Sequence, residues 1–544
     1  MLRESGILYP ISSLPSKYGI GCFSKEAYEF VDFLEAAGQS CWQILPMGPT
    51  GFGDSPYASF SGFAGNPYFI SPEGLIEDGL LTYEECDSLN FGNDPARVDY
   101  GALYNNRPII LKKAHERFKE SGKEKKEYED FVEKNFYWLD DYALYMTIKE
   151  EQGNKGWLDW DEEYRLRDGK ALAATKEVCR DYYEYICFVQ YEFDKQWNKL
   201  HRYAQSKKVK IIGDIPFYPA MDSADAWASP EQFLFDDMNM PISVAGTPPD
   251  AFSADGQLWG NPLYDWTHMK NTDYSWWVDR IRRNHEFYDV IRIDHFVGFD
   301  SYYAVPYGAK NAREGKLQDG PGLEFFTSIK KTLGGDIRII AEDLGNLTPR
   351  IRKMLKDSGF PGMQVLQYAF DGTECSTYLP YKHDRNSVVY TGTHDNMTTR
   401  AWIESINDHD RDFARRYINS IYTDYGQFVW DFIREAHRSQ SDLCIIPIQD
   451  YLVKGNEARI NSPGTSGDNW QWRTVPNQLS KELASSIFEL TRLYGRLPKE
   501  EEKAEEKPVE MEAQETETRT GLEKTKLENV ETETTESEKV GVEE

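Results

Sequence analysis

The stretch Asp289–His295 reads DVIRIDH: two β-branched residues, then an alternating Arg-Ile-Asp, ending in a polar pair. A short, almost continuously apolar run of this kind marks a strand buried on both faces. On such a strand residues two apart share a side, so Arg292 and Asp294 point together beyond its C-terminal end. Seven further runs have the same form: GILYPI (6–11), CWQILPM (41–47), VKIIGDIP (209–216), IRIIAEDLG (337–345), MQVLQYAF (363–370), SVVYTGTHD (387–395) and LCIIPIQD (443–450). Helical periodicity lies between them, as in Ser24–Ala37 and Leu347–Ser358. Eight buried strands alternating with helices predict an α/β fold, a (β/α)8 TIM barrel.

Two regions exceed a simple βα repeat. Residues 86–205 are rich in Lys, Glu, Tyr and Trp with helical spacing, as in Tyr128–Leu144 and Lys176–Ala204, and are expected to form a helical insertion between the second and third strands. Residues 219–287 are studded with Pro and Gly and are expected to be a long loop-rich subdomain, a length of loop that usually carries function. The helical pattern of 478–496 stops at Pro498. Beyond it, residues 499–544 hold no aromatic residue and 17 Glu against six Lys and one Arg. That composition predicts a disordered acidic tail after a catalytic body over 1–498, with no C-terminal β-sandwich.

The formal charge of the 544-residue chain is −29, which disfavours nucleic acid as a partner. The tail contributes −10 of it, so the sign says little about the body. The seven cysteines are scattered without a CxxC pair, which argues against a disulfide framework or structural zinc and fits a reducing compartment. Pro10, Ser12 and Ser13 interrupt the N-terminal apolar stretch, and no run approaches the ~18 apolar residues of a membrane helix. A cytoplasmic protein without membrane association is expected. The 14 Trp, 34 Tyr and 28 Phe fit either a large aromatic core or a groove that stacks on sugar rings.

Barrel enzymes keep their reactive groups at the C-terminal ends of the strands. Here those ends carry Asp214, Arg292 with Asp294, Glu342 with Asp343, and His394 with Asp395. Grouped carboxylates suit acid/base and nucleophilic work on acetals, although a Mg²⁺ or Mn²⁺ site takes the same ligands. The Arg292–Asp294 pair favours the former, because a guanidinium holds a carboxylate ionised, as a nucleophile requires. Glu342 follows the apolar run Ile337–Ala341, whose desolvation is expected to keep it protonated as a general acid.

Together these residues resemble a known family. GILYPISSLPSKYGIG (6–21), GDSPYASFSGFAGNP (53–67), GDIPFY (213–218), AGTPPDAFSADGQLWGNPLYDW (245–266), IRIDHF (291–296), AEDLG (341–345), GTHDN (392–396) and NWQWR (469–473) occur in the order typical of the 4-α-glucanotransferases (amylomaltases, disproportionating enzymes) of glycoside hydrolase family 77. The likeness spans roughly residues 3–496. It implies Asp294 as nucleophile, Glu342 as general acid/base, Asp395 as the carboxylate that stabilises the transition state, and Arg292 as partner of the nucleophile. It further implies Tyr57, Asp214 and His394 in the donor subsite, and Asp250, Phe252, Gln257 and Trp259 on a mobile loop over the glucan cleft. The implied substrates are α-1,4-glucans, with no cofactor and no bound metal; the rival activity is an α-amylase-like retaining hydrolase. Two positions depart from the family pattern: Val297 stands where an Arg is common (HFVGF) and Leu317 where a Trp is common (GKLQDGPG).

Overall fold

The computed structural model describes residues 3–498, apart from 250–252, 336, 346, 374, 422–423 and 466. The predicted tail therefore lies outside the described residues. Residues up to Pro498 form one compact unit.

The strands are β1 (Glu4–Leu8), β2 (Cys41–Gln43), β3 (Lys210–Ile215), β4 (Ser243–Thr247), β5 (Gln257–Pro262), β6 (Val290–Ile293), β7 (Ser301–Pro306), β8 (Lys316–Asp319), β9 (Ile339–Ala341), β10 (Gly362–Val365), β11 (Ser387–Tyr390) and β12 (Leu443–Pro447). Eight of them form one all-parallel sheet in the order β10-β11-β12-β1-β2-β3-β6-β9. A hydrogen bond from the Ala341 amide to the Pro361 carbonyl (2.9 Å) joins the two edges, so the sheet curls into a barrel. All eight predicted runs became barrel strands, each shorter than its run; in β6, β9, β11 and β12 the polar end of the run lies beyond the strand. The strands are buried along almost their whole length, as β11 and β12 are at every position, which is why their sequences are apolar on both faces.

Local rules account for the surrounding helices. Pro349–Ser358 starts with a Thr348 hydroxyl accepting the Ile351 amide and a proline in the first turn, and stops at Gly359 in the left-handed region (φ 73°). The predicted insertion is helical: Tyr100–Ser121, Lys125–Glu151 and Gly169–Val178 precede Arg180–Ser206, which packs on the helix Lys25–Ala36 and on β3 and so serves the barrel itself. Among the described residues no strand follows β12.

The segment 219–287 is more regular than its composition suggests. It contains the short helix Ala224–Ala228, strands β4 and β5, and the barrel helix Ser275–Phe287. With β7 and β8, which follow the barrel strand β6, strands β4 and β5 make a separate antiparallel sheet in the order β5-β4-β7-β8. Pairing in register supplies the order that the individual sequences lack: Gly246 faces Leu258 on one side and Tyr303 on the other. Most of the aromatic residues serve the core. Trp42, Trp157, Trp197, Trp227 and Trp277 are fully buried, and Phe217, Tyr264, Trp277, Phe299 and Phe325 pack ring against ring beneath the barrel mouth.

Candidate active site

Strands β3, β6 and β9 are neighbours in register, with Asp214 opposite Arg292 and Ile293 opposite Ala341. The chain continues the ladder one step further. The Asp294 amide donates to the Ile215 carbonyl and the Glu342 amide to the Ile293 carbonyl, each at 3.0 Å. Asp294 and Glu342 thus leave adjacent strands at one level, where strands lie about 4.8 Å apart. Lower on the same ladder, opposite Ile291, only glycine fits at 213: a Cβ there would meet the Tyr288 ring at 2.2 Å.

A chain of short hydrogen bonds crosses the mouth. The Tyr57 hydroxyl donates to Asp214 Oδ2 (2.8 Å), and Arg292 Nη1 donates both to that oxygen (2.6 Å) and to Asp294 Oδ1 (2.9 Å). Asp214 and Arg292 are buried, whereas the Asp294 side chain keeps 31% of its surface open to the cleft. Burial raises the Asp214 carboxyl above its usual value, against the pull of Arg292. Wedged between two carboxylates, Arg292 holds its proton more firmly still, despite its own desolvation. Tyr57, pushed well above 10 by burial and by Asp214, remains a hydroxyl donor.

Glu342 lies in a different environment. Its Oε2 accepts the His295 amide (2.7 Å) and its Oε1 the Leu344 amide (2.9 Å), but among the described residues no side-chain cation forms an ion pair with it. Desolvation, reinforced by the charge of Asp294, pushes its carboxyl up to about 8. The neighbouring Asp343 turns away and accepts the Met363 amide, a structural role.

Asp395 approaches from the segment after β11. Its Oδ1 accepts from Asn461 Nδ2 (2.6 Å), its Oδ2 lies 3.3 Å from His394 Nε2, and its carbonyl accepts from Arg459 Nη2 (2.8 Å). The His394 ring stacks on Tyr57 (centroids 5.2 Å apart, planes 14°), which closes the circle back to Asp214. From the antiparallel sheet, Trp259 sets its ring edge-on to His295 at 5.0 Å and donates its Nε1 to Gln257 Oε1 (3.1 Å).

Of the residues singled out in the sequence, Tyr57, Asp214, Arg292, Asp294, Glu342, His394 and Asp395 therefore converge, with Gln257 and Trp259 beside them; Asp250 and Phe252 lie outside the described residues. Sequence reasoning missed His295, Asn461 and Arg459. His295 has a left-handed backbone (φ 49°), rare for a side-chain-bearing residue, and that turn aims its amide at Glu342. Asn461 is 66 positions from its partner, and nothing in its surroundings announces it. Among the described residues, no group of three or more His, Cys, Asp or Glu could hold a metal ion, and no helix is long and apolar enough to cross a membrane.

Fold and site define a (β/α)8-barrel enzyme with a carboxylate-lined mouth. The chain belongs to the 4-alpha-glucanotransferase family, whose sequence model matches residues 9–478. It is 46% identical over 488 residues to a 4-alpha-glucanotransferase of Clostridium butyricum, covering 89% of this chain and 99% of that one. A 4-alpha-glucanotransferase of Thermus thermophilus is 39% identical over 502 residues, covering 91% and 99%. The solved amylomaltase from Streptococcus agalactiae, in complex with acarbose, superimposes with a TM-score of 0.89 at 39% identity, covering 91% of this chain and all of that one.

Proposed function

We propose that this chain transfers segments of α-1,4-glucans from a donor maltooligosaccharide or starch-like chain to the 4-OH of an acceptor, by a retaining double displacement. Asp294 attacks C1 of the donor glucose while Glu342 gives its proton to the departing glycosidic oxygen. The C1–O bond breaks and a glucosyl ester forms. Glu342, now a carboxylate, takes the proton of the acceptor 4-OH as that oxygen attacks C1, and Asp294 leaves with its original charge. Asp395 stabilises the oxocarbenium-like transition states, and Tyr57, Asp214 and His394 hold the donor sugar. Gln257 and Trp259 cover the cleft, and Asp250 and Phe252 are assigned to the same cover.

The observation that carries this reading is the contrast between two carboxylates on adjacent strand ends. Asp294 is paired with a buried guanidinium, while Glu342 is desolvated and raised to about 8. Such a division of environments assigns nucleophile and acid. Their adjacency fits the ~5–5.5 Å carboxyl separation of retaining enzymes better than the ~6.5–9.5 Å of inverting ones. Transfer rather than hydrolysis requires that water be kept from the ester, and the Trp259–His295 contact at the nucleophile supports a covering role for β5.

Incubation with maltotriose tests the reading. A ladder of longer glucans together with free glucose is expected, and shortening alone would instead establish the α-amylase-like hydrolase. Asp294→Asn is expected to stop turnover while glucan binding persists; full activity in that variant would refute the nucleophile.

A further inference from the structure

The segment Thr391–Thr399, which carries His394 and Asp395, leaves the barrel at the end of β11 and returns at the helix Thr399–Ser405. Both of its ends meet one side chain. Asp450, 1% exposed in the short helix Ile448–Tyr451 that follows β12, accepts the Thr391 hydroxyl (2.6 Å) and the Thr399 hydroxyl (2.6 Å) on Oδ2, and the Thr399 amide (2.8 Å) on Oδ1. Among the described residues no cation pairs with it: its partners are two hydroxyls and an amide. Burying a carboxylate without a counter-charge is costly, and three well-aligned donors offset that cost only while the segment keeps its shape. Between the two ends, Asn396 Oδ1 accepts the Thr393 amide and hydroxyl, and Gln367 Nε2 donates to the Met397 carbonyl. The tip is gripped by Asn461 and Arg459, which belong to the same excursion after β12.

We infer that Asp450 is a positioning residue for the transfer reaction: it pins both ends of the 391–399 segment and so fixes where the Asp395 carboxylate stands. The inference rests on the assignment of Asp395 above. Asp450 itself lies behind the segment and need not touch a sugar. A misplacement of about 1 Å in a transition-state group costs as much as 10²-fold in rate. A loosened clamp therefore lowers kcat, whereas binding of the glucan, shared with the other side of the mouth, changes little.

Asp450→Asn keeps the volume of the side chain but turns one acceptor oxygen into an NH2 donor. For that variant the expected result is a fall in kcat for maltotriose disproportionation of about 10- to 100-fold with KM within about twofold. Faster amide exchange confined to residues 391–399 should accompany it. Thr391→Val removes a single donor and should give the same signature at smaller size, and Thr391→Ser, which returns the hydroxyl, should recover the rate. If Asp450→Asn fails to fold, the threonine pair decides. Parent kcat in the folded variants overturns the proposal, as does a loss carried by KM alone or a loss of rate without faster exchange at 391–399. Asp395→Asn separates the two assignments. Intact transfer in that variant would refute the role of Asp395, while the exchange measurement would still judge the clamp.

Discussion

At the base of the barrel Arg3 and Arg496 are held by main-chain carbonyls. Arg496, fully buried, donates to those of Glu4, His437, Ser439, Ser441 and Asp442, and Arg3 to those of His437, Ser439 and Tyr494. His437 between them is pushed down to about 3 by burial and by the two guanidiniums, and stays neutral. At the mouth, one guanidinium serves two carboxylates, and a third carboxyl, Glu342, is left with two amides and a raised proton affinity. Each side-chain nitrogen of Arg3 and Arg496 is thus matched to a main-chain carbonyl. The mouth keeps charges in excess, and that excess is available to a substrate. Buried polar groups can be arranged for rest or for work, and one barrel does both at opposite ends.

The largest effect expected from breaking this contrast is at the nucleophile. Asp294→Asn should lower the transfer rate on the order of 10⁴-fold or more, as loss of a covalent nucleophile does elsewhere. Its unfolding midpoint should not fall, because the variant relieves the repulsion between Asp294 and the buried Asp214 that shares Arg292 with it. Calorimetry beside the maltotriose assay checks both, and a large drop in midpoint would mean that the mouth is built for stability like the base.

Arg496→Ala should do the reverse. It strips the donors from five carbonyl contacts in the interior, at a cost of about 3–5 kcal/mol. For a body of this size the unfolding entropy is on the order of 1 kcal/mol per degree, so the midpoint should fall by about 3–5 °C. The kcat of the folded fraction should be that of the parent.

Glu342→Gln ties stability to pH. The folded protein holds the Glu342 proton to about 8, against an ordinary value of 4.5, so between these values the native state binds more protons than the unfolded chain. The stability linked to this group is fully present below pH 4.5 and is lost as pH rises through 8. Gln does not titrate. The midpoint of Glu342→Gln relative to the parent should therefore climb by about 4 °C from pH 4.5 to pH 8, while the meeting of its NH2 with one of the amides that the carboxylate accepted lowers it equally at every pH. In the parent, transfer should decline above pH 8 as the general acid loses its proton. A difference between variant and parent that does not change with pH would remove Glu342 from the titrating role.

How far the sequence reveals these features depends on their range. The eight barrel strands were legible because burial on both faces writes a continuous apolar run, and the site residues because the runs of β3, β6, β9 and β11 pass into polar residues toward their C-terminal ends. The antiparallel sheet was not: SVAGT and KLQD carry little hydrophobic signal, and they become strands only through the register that pairs Gly246 with Tyr303 and Tyr303 with Leu317. The local sequence of 219–287 reads as loop because its order is tertiary. Asn461 and Asp450 escaped for a related reason, since both meet the Asp395 segment from the excursion after β12, more than 50 positions away. The left-handed turn at His295 is invisible in IRIDHF, because what holds it is Glu342, whose side chain accepts the His295 amide and whose carbonyl accepts the Phe296 amide.

The smallest expected effect probes where the mouth meets the cover. Trp259 is 39% exposed and contributes little to the core, yet its ring lies against His295, whose own amide binds Glu342 and whose neighbour is Asp294. An aromatic contact of this kind contributes about 0.5–1.5 kcal/mol, or roughly two- to tenfold in a rate. Trp259→Ala should therefore leave the unfolding midpoint in place, raise KM for maltotriose a few-fold and increase the share of free glucose released by water, because the ester is less well covered. Trp259→Phe should fall between the two. Hydrolysis unchanged in Trp259→Ala would detach β5 from water exclusion and leave the carboxylate cluster alone to favour the acceptor hydroxyl.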